Sequence, residues 1–562
     1  MNYRHFKHEG WLYALAFLAA IAIRFIQLGA MPLTDAEATS ALQALRIAQG
    51  LKPALGAHPF YILSTSVLFF LYGGATNFLA RFFPAILGSL LVFVPLLFAD
   101  ERIKPRTGVI LAFFIALDPG LVALSRQAAS PILALTFLLL ALGFLNKNKI
   151  NFAGVFSALA LLSGPSIWLG ILGLGITWAL YQALSFRQTP EPSSFIFFHP
   201  LSFFIPFLST FVILGTLFFI APNGLSAALA SIPAFISRWT VASDVPSTRL
   251  LFSFLVYQPF GVLLVVIATI RGWWVGSKRI IPLSVWFLVA LLLATFLPSH
   301  EMGDLVWALI PFWAMASIEL TRHMDIFPDE RVEVGGVVLL TVFVWTFSWL
   351  DLSGLSWTTG DSSQYTMRFW LLIGALFLLV LSLLLVAAGW STRVAKIGGV
   401  WGLALALGSL GLGGAFGVTG LRGMTHPELW FPAYLPAQAD LLEATVSDMS
   451  EWGVGNDYSA PVMIVGIDSP ALEWTLREHQ VTVAETLDAA SAPAFVITPL
   501  QENPALSSSY RGQDFTWRQN SSWGAALPKD WLRWIALREM PQSGETIILW
   551  AREDLFVNVP PK

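Results

Sequence analysis

Long apolar runs separated by short polar stretches dominate the first three quarters of this chain. Crossing the hydrocarbon core of a bilayer takes about 20 apolar helical residues. Runs of that character at 11–28, 80–98, 108–124, 131–146, 152–163, 166–184, 201–221, 251–270, 280–298, 304–320, 335–350, 368–390 and 398–418 predict about 13 transmembrane helices. The run 152–163 is short, with Gly164-Pro165 behind it. One more run, Phe60 to Phe78, is apolar enough to compete, and charge decides its placement. If it lies at the outer surface or re-enters, one side of the membrane receives Arg4, Lys7, Arg102, Lys104, Arg106, Lys147, Lys149, Arg187, Arg271, Lys278, Arg279, Arg322, Arg331, Arg393 and Lys396. If it crosses, all of these after residue 79 move to the other face, against the retention of positive charge on the cytoplasmic side. The first topology is therefore expected. It leaves the N-terminus inside, and places 29–79, 125–130, 222–250, 299–303, 351–367 and the C-terminal tail outside.

After Thr425 the periodicity changes. A helix-like run, Ala437 to Trp452, precedes a strand (Pro461 to Ile467), a helix (Ser469 to His479) and two more strands (Val481 to Ala484, Ala494 to Thr498). That alternation predicts a small α/β domain. The expected organisation is a polytopic α-helical membrane domain over 1–425 and an extracytoplasmic α/β domain over 426–562. Within the first, 29–79 forms an extracytoplasmic loop with juxtamembrane helices. Trp517, Trp523, Trp531, Trp534 and Trp550 are expected in the core of the second domain rather than on a sugar-stacking surface. Residues 185–200 read as a cytoplasmic turn region.

Composition supports this division. Only 12% of residues are charged, against about 25% in globular domains. Residues 1–425 carry 24 Lys+Arg and 17 Asp+Glu, a net of +7, whereas 426–562 carry 8 and 18, a net of −10. A basic body with an acidic tail fits a tail outside. The N-terminus, Arg4 and Lys7 before an apolar run, reads as an uncleaved signal anchor. With no cysteine, disulfide and thiolate chemistry are excluded. No HExxH, Walker sequence or paired histidine at metal spacing is present. No metal site and no nucleic-acid partner are expected. The glycines of Gly411 to Gly417 lie in a span, where small residues allow close helix packing.

The candidate chemistry begins just after the first span. Acidic groups beside a bilayer are costly, yet Asp35 and Glu37 open a polar helical stretch, Leu33 to Gly50. Asp35 suits the cap of that helix, and Arg81, at the start of an apolar run, can snorkel to the interface. His58, His300 and Arg24 are further cations near the same side.

The order of these features resembles the GT-C superfamily of polyprenyl-phosphate-sugar-dependent glycosyltransferases, including protein O-mannosyltransferases and the aminoarabinose transferases of lipid A. The likeness rests on Pro32-Leu33-Thr34-Asp35-Ala36-Glu37-Ala38, His58-Pro59-Phe60-Tyr61, Ala80-Arg81-Phe82-Phe83-Pro84-Ala85-Ile86-Leu87-Gly88 and Ser125-Arg126-Gln127-Ala128, across roughly residues 1–320. It implies Asp35 as base or orienter of the acceptor. Relatives show adjacent Asp-Glu where Ala36 separates the two here, so Glu37 shares that candidacy. It also implies a lipid-phosphate seat drawn from His58, Arg81, Arg126 and His300, and Ser130-Pro131 stands where relatives carry a further acid. Glu301 or Asp304 are the carboxylates expected to replace it. The resemblance implies inverting transfer of a sugar from a polyprenyl-phosphate donor to an extracytoplasmic protein or glycolipid, in the plasma (inner) membrane. No cofactor beyond that donor is implied, and a divalent cation is left open. The alternatives are a catalytically degenerate accessory protein of glycan assembly and a transporter or flippase. Against transport, nearly all charges lie at span ends and no inverted repeat is evident.

Overall fold

A computed structural model describes residues 6–99, 104–185, 200–358, 362–423, 426–487, 492–500 and 506–556. The turn region expected at 185–200 lies almost entirely outside them. Among the described residues, six helices are long and apolar enough to cross a membrane, or up to eight if each of two bent pairs counts as one span. Six more apolar helices are shorter, among them Ile132–Asn146, Ile150–Leu162 and Ile280–Phe296. The chain is thus a multi-pass membrane protein, but the expected count of about 13 spans is not met on helix length. Most of the difference lies in the shorter helices, and proline accounts for two further runs, because it cannot donate to the preceding turn and can break a helix. Asp118-Pro119 divides one run into Pro105–Leu117 and Pro119–Ser125, bent by 56°; Gln258-Pro259 divides another into Ser247–Tyr257 and Pro259–Val275, bent by 94°.

Ion pairs mark the two ends of the helical body. The helical stretch Met302–Thr321 has 20 residues, about 30 Å end to end. At its start Asp304 pairs with Arg238 at 2.6 Å, and near its end Glu319 pairs with Arg271. Around the second end lie further basic residues expected to share one side. Arg106 pairs with Asp325 at 2.8 Å, and Arg393 with Glu330 at 3.1 Å.

The opposite end carries the candidate residues singled out from the sequence. Helix α1 spans Phe6–Phe25, α2 Asp35–Ala48, α3 Pro59–Tyr72 and α4 Asn77–Leu90. Helix α2 buries Ala38, Ala41, Leu42 and Ala44 along one face, the stripe expected of an amphipathic helix. Helix α3 is the competing apolar run. It has 14 residues, about 21 Å, and ends at Gly73, whose φ of 77° closes the helix in a left-handed turn that glycine adopts without strain. Its Tyr61 hydroxyl donates to Ala80 O at 2.8 Å, and its Phe69 ring meets Trp474 at 5.9 Å. It therefore stays near the end of the body that faces the sheet.

That sheet has the strand order β1-β5-β6-β4-β2-β3, with β1 at Tyr434–Pro436, β2 at Pro461–Val465, β3 at Gln480–Ala484, β4 at Phe495–Pro499, β5 at Tyr510–Ser521 and β6 at Gln542–Arg552. Strand β2 pairs parallel with β3 and β4, whereas β1, β5 and β6 join antiparallel. The three strands expected from sequence are present within two residues, and the helix expected from Ser469 is the shorter Pro470–Thr475. The long β5–β6 hairpin adds to that expectation. Trp517, Trp523 and Trp534 are buried in this domain, while Trp531 and Trp550 are half-buried.

One close approach ties α4 to the functional end. A Cβ on Gly88 would lie 2.0 Å from Ser125 Oγ and 2.7 Å from Ser125 Cβ, too near for either to stay in place. Gly88→Ala should therefore push Ser125 and the adjoining Arg126 aside, lowering stability by about 1–3 kcal/mol. A thermal-unfolding midpoint in detergent matching wild type would show that the two helices are not in contact.

Candidate functional site

Helix α2 places its two acids on opposite sides. Successive helical residues turn by about 100°, so positions two apart diverge by about 200°. Thr34 is the N-cap, Asp35 the first helical residue and Glu37 the third. Glu37 Oε2 accepts from the Thr34 backbone N–H at 3.0 Å, the return half of a capping box. The Thr34-x-x-Glu37 spacing that signals it was present in the sequence.

Glu37 points inward and is buried, as is its partner Arg81. Arg81 Nε donates to Oε1 and Nη2 to Oε2, both at 2.8 Å, a bidentate pair. The remaining Arg81 protons go to Met31 O at 2.7 Å, Pro32 O at 3.0 Å and Leu28 O at 3.4 Å. All five of its N–H groups are thereby engaged. Glu37 Oε1 also accepts from Ala128 N at 2.8 Å. Burial alone would raise the Glu37 carboxyl, but the Arg81 charge and these hydrogen bonds outweigh it and hold it below the usual carboxylate range.

Arg126 caps the short helix Pro119–Ser125 and is buried beside Arg81. Its guanidinium donates to Arg24 O at 2.8 Å, Ile26 O at 2.7 Å, Gln27 O at 3.1 Å and Thr419 O at 2.7 Å, with a longer contact to Ile23 O. Three of these carbonyls end or follow α1, where the helix dipole favours a cation. Among the described residues no carboxylate pairs with it. Burial, then the neighbouring Arg81, lowers its pKa to about 10, so it remains charged at neutral pH. With Glu37 at −1 and two guanidiniums at +1 each, this cluster holds a net charge of +1.

A cavity opens at the cluster, lined by Thr34, Glu37, Arg81, Arg126 and Gln127, by Val418, Phe431 and Pro432 of the connector between the helix Thr392–Gly417 and strand β1, and by Leu435 of β1. It measures about 30 Å³, room for roughly two water molecules. The connector is held down from outside the cavity, since Arg249 donates to Leu429 O at 2.6 Å and to Phe431 O at 2.6 Å. Gln127 and the connector were not singled out from sequence.

Asp35 faces away, toward the sheet, and is half-buried. Its Oδ1 accepts from Ser469 Oγ at 2.6 Å and Ala471 N at 3.1 Å; its Oδ2 accepts from Arg518 Nε at 3.0 Å and Nη2 at 2.8 Å. The other expected residues stand apart from the cavity lining. His58 Nδ1 lies 3.1 Å from Ser163 O. His300 Nδ1 lies 2.9 Å from Leu297 O, with Nε2 against Val245 O. Glu301 donates its backbone N–H to Asp304 Oδ2 at 2.9 Å, and Asp304 itself is committed to Arg238. Among the described residues, no cluster of three or more His, Asp or Glu could hold a metal ion.

The fold has counterparts among solved structures. ArnT from Cupriavidus metallidurans bound to undecaprenyl phosphate matches with a TM-score of 0.56 and 14% identity, over 98% of this chain and 99% of that one. The chain shares the ArnT fold. The apo state of that protein matches with a TM-score of 0.50 and 14% identity, over 87% and 93% of the two chains. The Archaeoglobus fulgidus oligosaccharyltransferase in its apo form matches with a TM-score of 0.47 and 11% identity, over 85% and 64%. No family model and no curated protein matches the sequence. The ArnT-like fold and the GT-C resemblance carried by the sequence point the same way.

Proposed function

We propose that this protein is a membrane glycosyltransferase that moves a sugar from a polyprenyl-phosphate donor to an extracytoplasmic protein or glycolipid acceptor. The observation that carries this reading is Arg126, a buried guanidinium with only carbonyl partners, beside an Arg81–Glu37 pair in a cavity of net positive charge. A buried cation without a counter-ion is expensive, and an anionic headgroup would relieve that cost. The acceptor oxygen would form a bond to the anomeric carbon, giving its proton to the Asp35 or Glu37 carboxylate, as the bond from that carbon to the phosphate oxygen breaks, with inversion. The phosphate would leave with the electron pair, stabilised by Arg126 and the adjacent Arg81 charge. In this reading the sheet domain, spanning 426–562, and the cavity face outward, with the Arg106, Arg271 and Arg393 cluster cytoplasmic.

Phe431 and Pro432 line the cavity beside Arg126, where the donor phosphate would be seated. Of the two carboxylates expected to activate the acceptor, Asp35 is paired with Arg518 and Glu37 with Arg81. A base role for either requires its pair to open. That double engagement favours a second reading, a non-catalytic accessory protein that binds the lipid carrier.

The test supplies purified protein with polyprenyl-phosphate sugars and measures release of polyprenyl phosphate, alongside binding of undecaprenyl phosphate. Saturable binding with turnover is the expected result. Binding without turnover for any donor selects the accessory reading. The absence of binding removes both.

A further inference from the structure

Asp35 and Glu37 belong to one helical turn yet answer to different parts of the molecule, and the sheet is built to grip the first of them. Strand β5 pairs with β6 in regular register until Thr516↔Thr546, and the next pair is Arg518↔Glu545. Trp517 is the extra residue of a β-bulge, a device that bends a strand and re-aims its side chains. From that bulge Trp517 Nε1 donates to Ser469 Oγ at 3.0 Å, and the same hydroxyl donates onward to Asp35 Oδ1. Arg518 reaches Asp35 Oδ2 with two nitrogens and anchors on Asp468 O at 2.6 Å. Asp35 therefore sits in a socket formed by the bulge and the loop that follows β2.

We infer that Arg518 is a positioning residue for the transfer: it acts through Asp35 to fix the first turn of α2, and so holds Glu37 and Arg81 in the cavity wall. This rests on the function proposed above. The argument is geometric. Glu37 meets Arg81 bidentately, an arrangement that tolerates little rotation of the turn carrying it. The N-terminal turn of a helix has no preceding turn to hold it. Its inner side is fixed by Arg81 and Ala128, and its outer side by Arg518, Ser469 and Ala471. Losing the outer grip would leave the carboxylate of Glu37 free to wander and Arg81 to follow. The sheet domain would in this way set the electrostatics of a site in which, among the described contacts, Arg518 itself takes no direct part.

The experiment measures undecaprenyl phosphate affinity and donor turnover for Arg518→Ala, Asp35→Ala, the double variant and Arg518→Lys, all in the full-length protein. The expectation is a fall of about tenfold in affinity for each single change. The double variant should be no weaker than either single one, and Arg518→Lys should recover part of the loss. Arg46→Ala breaks a different link between α2 and the sheet, the Arg46–Glu473 pair, and should leave affinity unchanged. If Asp35→Ala costs a further tenfold or more in turnover when Arg518 is already alanine, Asp35 acts on the substrate itself and the inference falls. It falls equally if Arg46→Ala is as damaging as Arg518→Ala, since any loosening of the sheet would then suffice. Should Arg518→Ala not fold, Ser469→Ala removes one donor from the same socket. About a threefold loss of affinity is then expected, and none would overturn the proposal. If undecaprenyl phosphate fails to bind the wild type, the proposed function fails first, and the two failures are thereby told apart.

Discussion

Replacing Glu37 by alanine should be the most destructive single change at this site. Arg81 has side-chain exposure of only 6% and Glu37 of 5%, so the substitution leaves a guanidinium buried without its counter-charge. Removing one partner of a buried ion pair costs about 3–5 kcal/mol, far more than the pair itself contributes over an apolar replacement. The Ala128 and Thr34 N–H groups lose their acceptor at the same time. The measurement is the thermal midpoint in detergent, which should drop sharply for Glu37→Ala. Glu37→Gln, which keeps shape and part of the hydrogen bonding, should fall between. Acid should reproduce the effect in the native protein. The Glu37 carboxyl titrates lower in the folded state than in the unfolded chain, so the unfolded state binds its proton first. Its contribution to stability is then complete above the unfolded carboxylate range, around pH 4.5, and is lost as pH falls through the folded value. A Glu37→Gln protein should lack that part of the acid dependence. If the two proteins lose stability in parallel below pH 4.5, the pair does not carry the charge described here.

The sequence made some of this site legible and concealed the rest for reasons of distance. The short polar helix from Asp35, the apolar stripe on its face and the strands after Thr425 are local patterns, and each has a counterpart in the structure. Arg81 and Arg126 could be singled out because a charge near the end of an apolar run is conspicuous. That they share one cavity could not be read, since 45 residues and several helices separate them. The division of labour between Asp35 and Glu37 follows from helix geometry once the helix begins at Asp35. The Thr34-x-x-Glu37 spacing marks that start, but the partner of each acid lies far off in sequence. Arg518 is on a strand of the long β5–β6 hairpin, whose alternation is interrupted by the Trp517 bulge. Span counting differs because hydropathy sums residues without regard to helix length or breaks: among the described residues, six of the apolar helices have only 10–17 residues. Asp118-Pro119 and Gln258-Pro259 bend apolar runs that read as continuous, and their buried polar partners, such as the 2.8 Å bond from Trp313 Nε1 to Asp118 Oδ2, are invisible to composition.

On the proposed function, removing the charge of Arg126 should have the largest effect on lipid binding. Its guanidinium occupies a cage of backbone carbonyls at the end of α1, so a structural role and a binding role coincide and must be separated. Arg126→Ala would orphan those carbonyls and remove the net positive charge at once. A fall of about 100-fold in undecaprenyl phosphate affinity is expected, consistent with about 2–3 kcal/mol for a charge-assisted contact in a site shielded from water. Arg126→Lys distinguishes the two contributions. A lysine keeps the charge but has three donors and no planar fork, so it should satisfy fewer carbonyls while still attracting a phosphate. If binding follows charge, Arg126→Lys retains most of the affinity despite a lower thermal midpoint. Arg126→Gln should then do the reverse, holding some carbonyls and losing the lipid. Arg81→Lys offers no such separation, because every proton of that guanidinium is already committed. Undiminished affinity in Arg126→Gln would mean that the phosphate is held elsewhere, and that Arg126 serves only to end the first helix.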